Sequence, residues 1–263
     1  MTTMPHAEAP SPPTLDELRA DMAGRVLYRD GLMLVINKPF GVPVHRGPAA
    51  ADWKNAPDLE SAFDVLRFGL PRIPALAHRL DRDTSGCLVL GRHRKALDKL
   101  GRMFKAGDID KTYLAVVEGH PEAASGEIDL PLGKRDPDRG WWMKVDPAGL
   151  PSLTRWRLLG ATTDDGAPRA LVELAPVTGR THQLRVHCAA MGWPILGDAV
   201  YGSAPRHGGP GLHLHARSVT IPLHASRPPI TVVAPPPPHM LAQLAACGFV
   251  DDQPAVSDEA EAS

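Results

Sequence analysis

Apolar residues along this chain recur mostly at every second position, the period of strands, and at helical spacing only in a few short windows. The run Lys111–Glu118 (KTYLAVVE) puts Tyr113, Ala115 and Val117 on one face and Leu114 and Val116 on the other, which predicts a strand. Strands are also predicted over Arg25–Tyr28 and Leu32–Asn37, around an Asp30-Gly31 turn, and over Gly86–Gly91. Further along, Gly126–Leu132, Ser152–Leu159, Arg169–Leu174, His213–Pro222 and Pro229–Ala234 carry the same pattern. Helical spacing appears at Leu97, Leu100 and Phe104 and predicts a helix over Lys95–Lys105 that ends at Gly107. Thr14 can cap a helix over Leu15–Met22, and Asp58 one reaching Phe68. Thr181 can cap a third over His182–Met191, stopped by Gly192 and Pro194. Residues 46–57 and 133–149 show no period and read as loops, the second carrying Trp141, Trp142 and Lys144. Strands outnumber helices without strand–helix–strand alternation. The expected class is α+β, with a mixed, mostly antiparallel sheet flanked by helices and loops.

The chain ends modify this picture. Residues 1–13 are rich in Pro, Ala and Thr, and the final fifteen are acidic. The expected organisation is a disordered or short helical N-terminal extension over 1–24, a single main domain over 25–248 and an acidic disordered tail over 249–263. The formal net charge of -1 hides an asymmetry. Glu8, Asp16, Glu17 and Asp21 against Arg19 near the start, and Asp251, Asp252, Asp258, Glu259 and Glu261 near the end, leave the middle at +7. A basic body of this kind suits an anionic partner. The three cysteines, Cys87, Cys188 and Cys247, show no CxxC spacing, which argues for a reducing compartment and against a structural zinc. No basic, then apolar leader and no apolar run near the ~20 residues of a membrane span are visible, so the cytoplasm is the expected location.

Chemistry concentrates in His78-Arg79-Leu80-Asp81-Arg82-Asp83-Thr84-Ser85-Gly86, immediately before an apolar strand. Two carboxylates lie there among basic groups, an arrangement that keeps a carboxylate ionised and available as nucleophile or general base. Asp83 reads as a turn former ahead of Thr84-Ser85-Gly86. The histidines 182, 187, 213 and 215 invite a metal site. However, His182 and His187 are five apart on a helix and off a common face, and no acidic or Cys ligand joins His213 and His215 at the usual spacing.

Three separated runs, HRLDRDTSG (78–86), KTYLAVVEG (111–119) and GRTHQLRVHCAAMGWPILGDAVYG (179–202), resemble the RluA-type RNA pseudouridine synthases. NKPFGVPVH (37–45) and LHLHA (212–216) fit in order, so that the resemblance spans roughly residues 25–235. It implies isomerisation of uridine to pseudouridine in RNA, without cofactor or metal. In that reaction the ribose bond to N1 of the uracil breaks, and the base turns and rejoins through C5. By resemblance Asp81 is the catalytic aspartate, Tyr113 the active-site tyrosine and Arg180 the arginine that pairs with Asp81. Arg79 would fill the space left by the extruded base, and Lys38, Arg82 and Arg185 would contact phosphates. The expected partner is a stem-loop of tRNA or 23S ribosomal RNA, bound by a monomer without a separate N-terminal RNA-binding domain. Two other classes are kept: a non-catalytic RNA-binding protein on the same scaffold, and a metal-dependent hydrolase built on the histidines.

Overall fold

The computed structural model describes residues 13–45, 57–136, 142–163, 166–206, 208–224 and 226–251. The expectations of disorder over 1–12, of a loop over 46–56, and of an acidic tail over 252–263 lie outside the described residues, as does Trp141. No helix among the described residues is long and apolar enough to cross a membrane.

Among the described residues, one mixed sheet organises the chain. It contains β1 (Val26–Arg29), β2 (Met33–Lys38), β3 (Ala75–Leu76), β4 (Ser85–Gly91), β5 (Asp110–Glu118) and β6 (Ser125–Asp129). A separate hairpin, β7 (Leu132–Lys134) with β8 (Met143–Val145), follows, and β9 (Leu153–Thr162), β10 (Arg169–Pro176), β11 (Leu214–Ile221) and β12 (Ile230–Val233) return to the sheet. The strand order is β1-β2-β4-β11-β5-β10-β9-β6, with β12 on β11 and β3 on β4. Every pairing is antiparallel except β4 with β11, where Ser85 faces His215 and Gly86 faces Ala216. This parallel pair joins segments some 130 residues apart and lies at the centre of the sheet.

Both faces are covered, which is why β2 and β5 read as continuous apolar runs. Leu34 and Ile36 of β2 pack with Leu88 and Leu90 under α1 (Leu15–Met22) and the 3₁₀ helix Glu60–Arg67. Met33 and Val35 point the other way, to Leu100 and Met103 of α2 (Arg94–Ala106). Further along the sheet, Ala115 and Val117 meet Leu184 and Cys188 of α3 (Gln183–Ala190), whereas Leu114 and Val116 meet Met240 and Leu244 of α4 (Pro238–Ala246). At Gly86 the backbone has φ of +105°, and a Cβ would stand 2.2 Å from the Ala216 carbonyl oxygen, so only glycine permits this strand crossing.

The class and nearly all the expected strands are present. Four local expectations differ. Residues 133–149 are not one long loop, since β7 and β8 pair at its two ends. The strand expected over Gly126–Leu132 divides into β6 and β7 around Pro131, which has no amide to give to a ladder. α4 was not foreseen; Pro238 occupies its first turn, where the missing amide costs nothing, and the preceding prolines obscured it. Finally, residues 249–251, expected in the tail, belong to the folded body: Phe249 packs on the core, its amide donates to Leu244 O at 2.9 Å, and Asp251 pairs with Arg217.

Candidate active site

The loop His78–Thr84 is held from below by two basic side chains, the half-buried His78 and the buried Lys38. The His78 Nε2 accepts the Val89 amide at 3.0 Å while its ring stacks on Phe104. Burial pushes this imidazole down to about 3, so it is neutral near pH 7. Lys38, at the end of β2, is fully buried. Its Nζ donates to Pro39 O and Arg82 O at 2.8 Å and to Thr84 O at 2.9 Å, three protons on three carbonyls. Burial lowers its pKa to about 7, against the opposing pull of the Asp83 and Asp81 charges. The loop is thereby drawn tight, and Asp81 stands up from it with its side chain 20% exposed.

Asp81 faces a cavity of about 300 Å³. Arg79, Lys111, Tyr113, Arg180, His182 and Arg185 also line it. Tyr113 rises from β5, and its phenol is held well above the ordinary range, first by burial and then by the charges of Asp81 and Cys87; it stays protonated at neutral pH. Arg185, from the first turn of α3, is the cation facing Asp81, with Nη1 3.8 Å from Oδ2. Its other donors make a fork to Asp198: Nε to Oδ2 at 2.7 Å and Nη2 to Oδ1 at 2.8 Å. Burial opposes the Arg185 charge, but the Asp198 bonds and the charges of Asp198 and Asp81 outweigh it and hold the guanidinium protonated. The same geometry keeps Asp198 ionised: burial works against it, and the Arg185 bonds win, aided by the amides of Tyr201 and Val200.

His182 opens α3 with φ of +52°, a left-handed conformation costing a non-glycine residue about 1–3 kcal/mol. The conformation aims Nε2 at Asp81 Oδ2, 3.6 Å away, and Nδ1 at the Tyr201 hydroxyl, 2.8 Å away. Burial pushes His182 down to about 4 despite the nearby Asp81 charge, so Arg185 alone of this pair is charged beside Asp81 near pH 7. Gln183 braces the preceding loop, accepting from Thr178 Oγ1 at 2.7 Å and from the Arg180 amide at 3.0 Å.

The sequence profile of the RNA pseudouridylate synthase family matches residues 32–190. An RNA pseudouridine synthase of Zymomonas mobilis is 42% identical over 218 residues, covering 82% of this chain and 95% of the relative. The ribosomal large subunit pseudouridine synthase C of Vibrio cholerae is 35% identical over 240 residues, 88% of this chain and 72% of the relative. The solved structure of human RNA pseudouridylate synthase domain containing 1 superposes with a TM-score of 0.66 at 32% identity, covering 84% of this chain and 86% of that one. The chain belongs to the RNA pseudouridine synthase family. It is an RNA-modifying isomerase.

Against this family the residues singled out in the sequence fall into two groups. Asp81, Tyr113, Arg79 and Arg180 do converge on one cavity. The pairing of Arg180 with Asp81 is corrected: Arg180 is exposed on the loop before α3 and its Nε donates to Pro151 O at 3.2 Å, while Arg185 faces Asp81. Lys38 and Arg185 are corrected as phosphate contacts, because both are buried and their donors are spent on carbonyls and on Asp198. Arg82 is exposed but forks onto Asp83, at 2.8 and 2.9 Å. Thr181 does not cap α3; His182 occupies the cap position, and its side chain makes no capping bond to the helix. His215 is structural as well, its Nδ1 on Ser85 Oγ at 2.9 Å and its Nε2 on Ala234 O at 3.0 Å. Among the described residues no cluster of three His, Cys, Asp or Glu could hold a metal. Sequence reasoning missed Asp198, Tyr201 and the role of His182. Asp198 did carry a signal, a lone carboxylate in the apolar run WPILGDAV, but nothing local tied it to Arg185, thirteen residues earlier.

Proposed function

We propose that this chain converts specific uridines to pseudouridine in a structured RNA, a stem-loop of 23S ribosomal RNA or of tRNA, with Asp81 as the carboxylate acting at the ribose. The observation that carries this reading is Asp81 itself: ionisable, partly desolvated, facing a buried guanidinium and sharing a cavity with a protonated phenol. An N-glycosidic bond breaks when the sugar is relieved of electron demand or of a proton, and a held carboxylate does either. The reaction balances without a co-reactant. The N1–C1′ bond breaks, a C5–C1′ bond forms, and the proton leaving C5 is matched by one gained at N1. The ring of Tyr113 offers a stacking face for the uracil, and its hydroxyl a neutral donor.

The target base must leave its stack, which costs a few kcal/mol, and Arg79 at the mouth of the cavity supplies a planar cation for the vacated space. Lys111 and Arg180, on the same rim, are suited to phosphates in place of Lys38 and Arg185. The name of the Vibrio relative supports large-subunit ribosomal RNA as the first substrate to test. Two experiments test the proposal. Asp81→Asn keeps shape and removes charge; conversion is expected to vanish with RNA affinity nearly intact, and near-normal conversion would overturn the assignment. Pseudouridine maps of RNA from cells with and without the protein are expected to differ at discrete sites in 23S ribosomal RNA or tRNA. Identical maps would overturn the substrate assignment.

A further inference from the structure

Tyr201 stands between the β7–β8 hairpin and Asp81. Its hydroxyl oxygen lies 2.9 Å from the Met143 amide nitrogen of β8 and 2.8 Å from His182 Nδ1. The amide can only donate, so the phenol accepts there and its own proton is directed to Nδ1. The imidazole proton is thereby placed on Nε2, the nitrogen that faces Asp81 Oδ2 at 3.6 Å. The Arg185–Asp198 pair beside Asp81 also touches this tyrosine. The Tyr201 amide donates to Asp198 Oδ1 at 3.0 Å, and the Arg185 guanidinium lies 5.2 Å from the ring centroid.

We propose that Tyr201 is a positioning residue that couples the seating of the β7–β8 hairpin to the orientation of His182, and through it to Asp81. The hairpin carries a surface suited to RNA bases. Trp142, half-buried, lies 5.9 Å from the Arg135 guanidinium and 5.5 Å from that of Arg206. Aromatic rings interleaved with guanidinium groups stack bases of any identity. RNA pressed on this surface holds Met143 against the phenol and fixes the imidazole toward the carboxylate. A ligand that leaves the hairpin unseated binds the cavity without aligning it. Selection among RNAs is thus exerted on the rate of conversion and less on affinity. The inference rests on Asp81 as the acting carboxylate and adds to it the link from the hairpin.

Tyr201→Phe removes both hydroxyl bonds while keeping the ring against Arg185 and His182. The expected result is a single-turnover rate lower by about 10- to 100-fold, the range for loss of a supporting hydrogen bond, with RNA affinity within about threefold. The ¹⁵N shifts of His182 should move from a single Nε2–H tautomer to a mixture. Met143→Pro deletes the donor at the other end. It should lower the rate in the same direction, and the double variant should be no slower than Tyr201→Phe alone. Should proline disturb the hairpin, exchange of the Met143 amide for an ester removes the same proton with the backbone path retained. A wild-type rate for Tyr201→Phe, an unchanged His182 tautomer, or losses that multiply in the double variant would overturn the coupling. Those results would leave Asp81 untouched, whereas an active Asp81→Asn enzyme would refute the reading beneath it.

Discussion

Replacing Arg185 by Met separates the two duties of that residue. Its fork to Asp198 is nearly dry, with side-chain exposures of 6% and 0%. Removing one partner of such a pair costs about 3–5 kcal/mol, because a buried charge is left behind. Asp198 keeps two amide bonds to Oδ1, from Val200 at 2.9 Å and Tyr201 at 3.0 Å, which places the expected loss near the lower end, about 3 kcal/mol. The second duty is electrostatic. At 3.8 Å from Asp81, and with an effective dielectric of about 20, the guanidinium contributes about 4 kcal/mol of attraction before desolvation is subtracted. Loss of half of that in the transition state lowers conversion by roughly 30-fold. The Arg185→Met/Asp198→Asn variant then resolves the two. It removes both buried charges and retains an oxygen for the Val200 and Tyr201 amides. Urea unfolding should recover most of the lost stability, yet tritium release from C5-labelled uridine in RNA should remain as slow as in Arg185→Met. If the double variant regains wild-type turnover, Arg185 serves only the fold. If Arg185→Met loses less than about 1 kcal/mol, the buried pair is not what the geometry indicates.

Other perturbations follow from the same structure. Gly86→Ala forces a Cβ onto the Ala216 carbonyl at a φ of +105°, so unfolding free energy should fall by about 2–5 kcal/mol in a denaturant titration, from strain plus overpacking; a loss under about 0.5 kcal/mol would show that β4 and β11 can separate freely. Lys38 has a folded pKa of about 7 against about 10.4 in an unfolded chain, so between these values the unfolded state holds more protons and stability rises with pH. That rise should reach at most about 1.4 kcal/mol per pH unit from pH 7 to about 8.5, above which thiols of the unfolded chain ionise while Cys87 stays protonated in the fold; Lys38→Met should flatten it, and an unaltered slope would refute the assignment. On the acid side His78, His182, His213 and His215 are held neutral in the fold by burial, at about 3 to about 4, so stability should fall as pH drops below about 6.5, where the unfolded chain takes up protons. A flat unfolding profile from pH 6.5 to 4.5 would contradict this.

How much of this was legible in the sequence depended on whether a residue's partner was local. The two faces of β5 could be read from alternation alone, because its neighbours impose a period of two on every side chain. The ending of α2 at Gly107, with φ of +83°, was legible for the same reason: the constraint acts within one turn. The roles of the basic residues were not legible. Lys38, Arg180 and Arg185 are equivalent as letters in a basic chain, and what distinguishes them is the partner each meets after folding. Lys38 finds carbonyls 44 and 46 residues away, and Arg185 finds Asp198 across the turn after α3. Arg180, the residue singled out as the partner of Asp81, is left exposed on the loop that Gln183 pins down. A charge in a motif therefore indicates that a site is near, while its burial decides whether it serves the substrate or the scaffold. The cations on the cavity wall that stay exposed, Arg79 and Arg180, turn their charge outward; the buried ones are already engaged by their own protein, Lys38 by three backbone carbonyls and Arg185 by Asp198, so that Arg185 stands 3.8 Å from Asp81 as part of the scaffold.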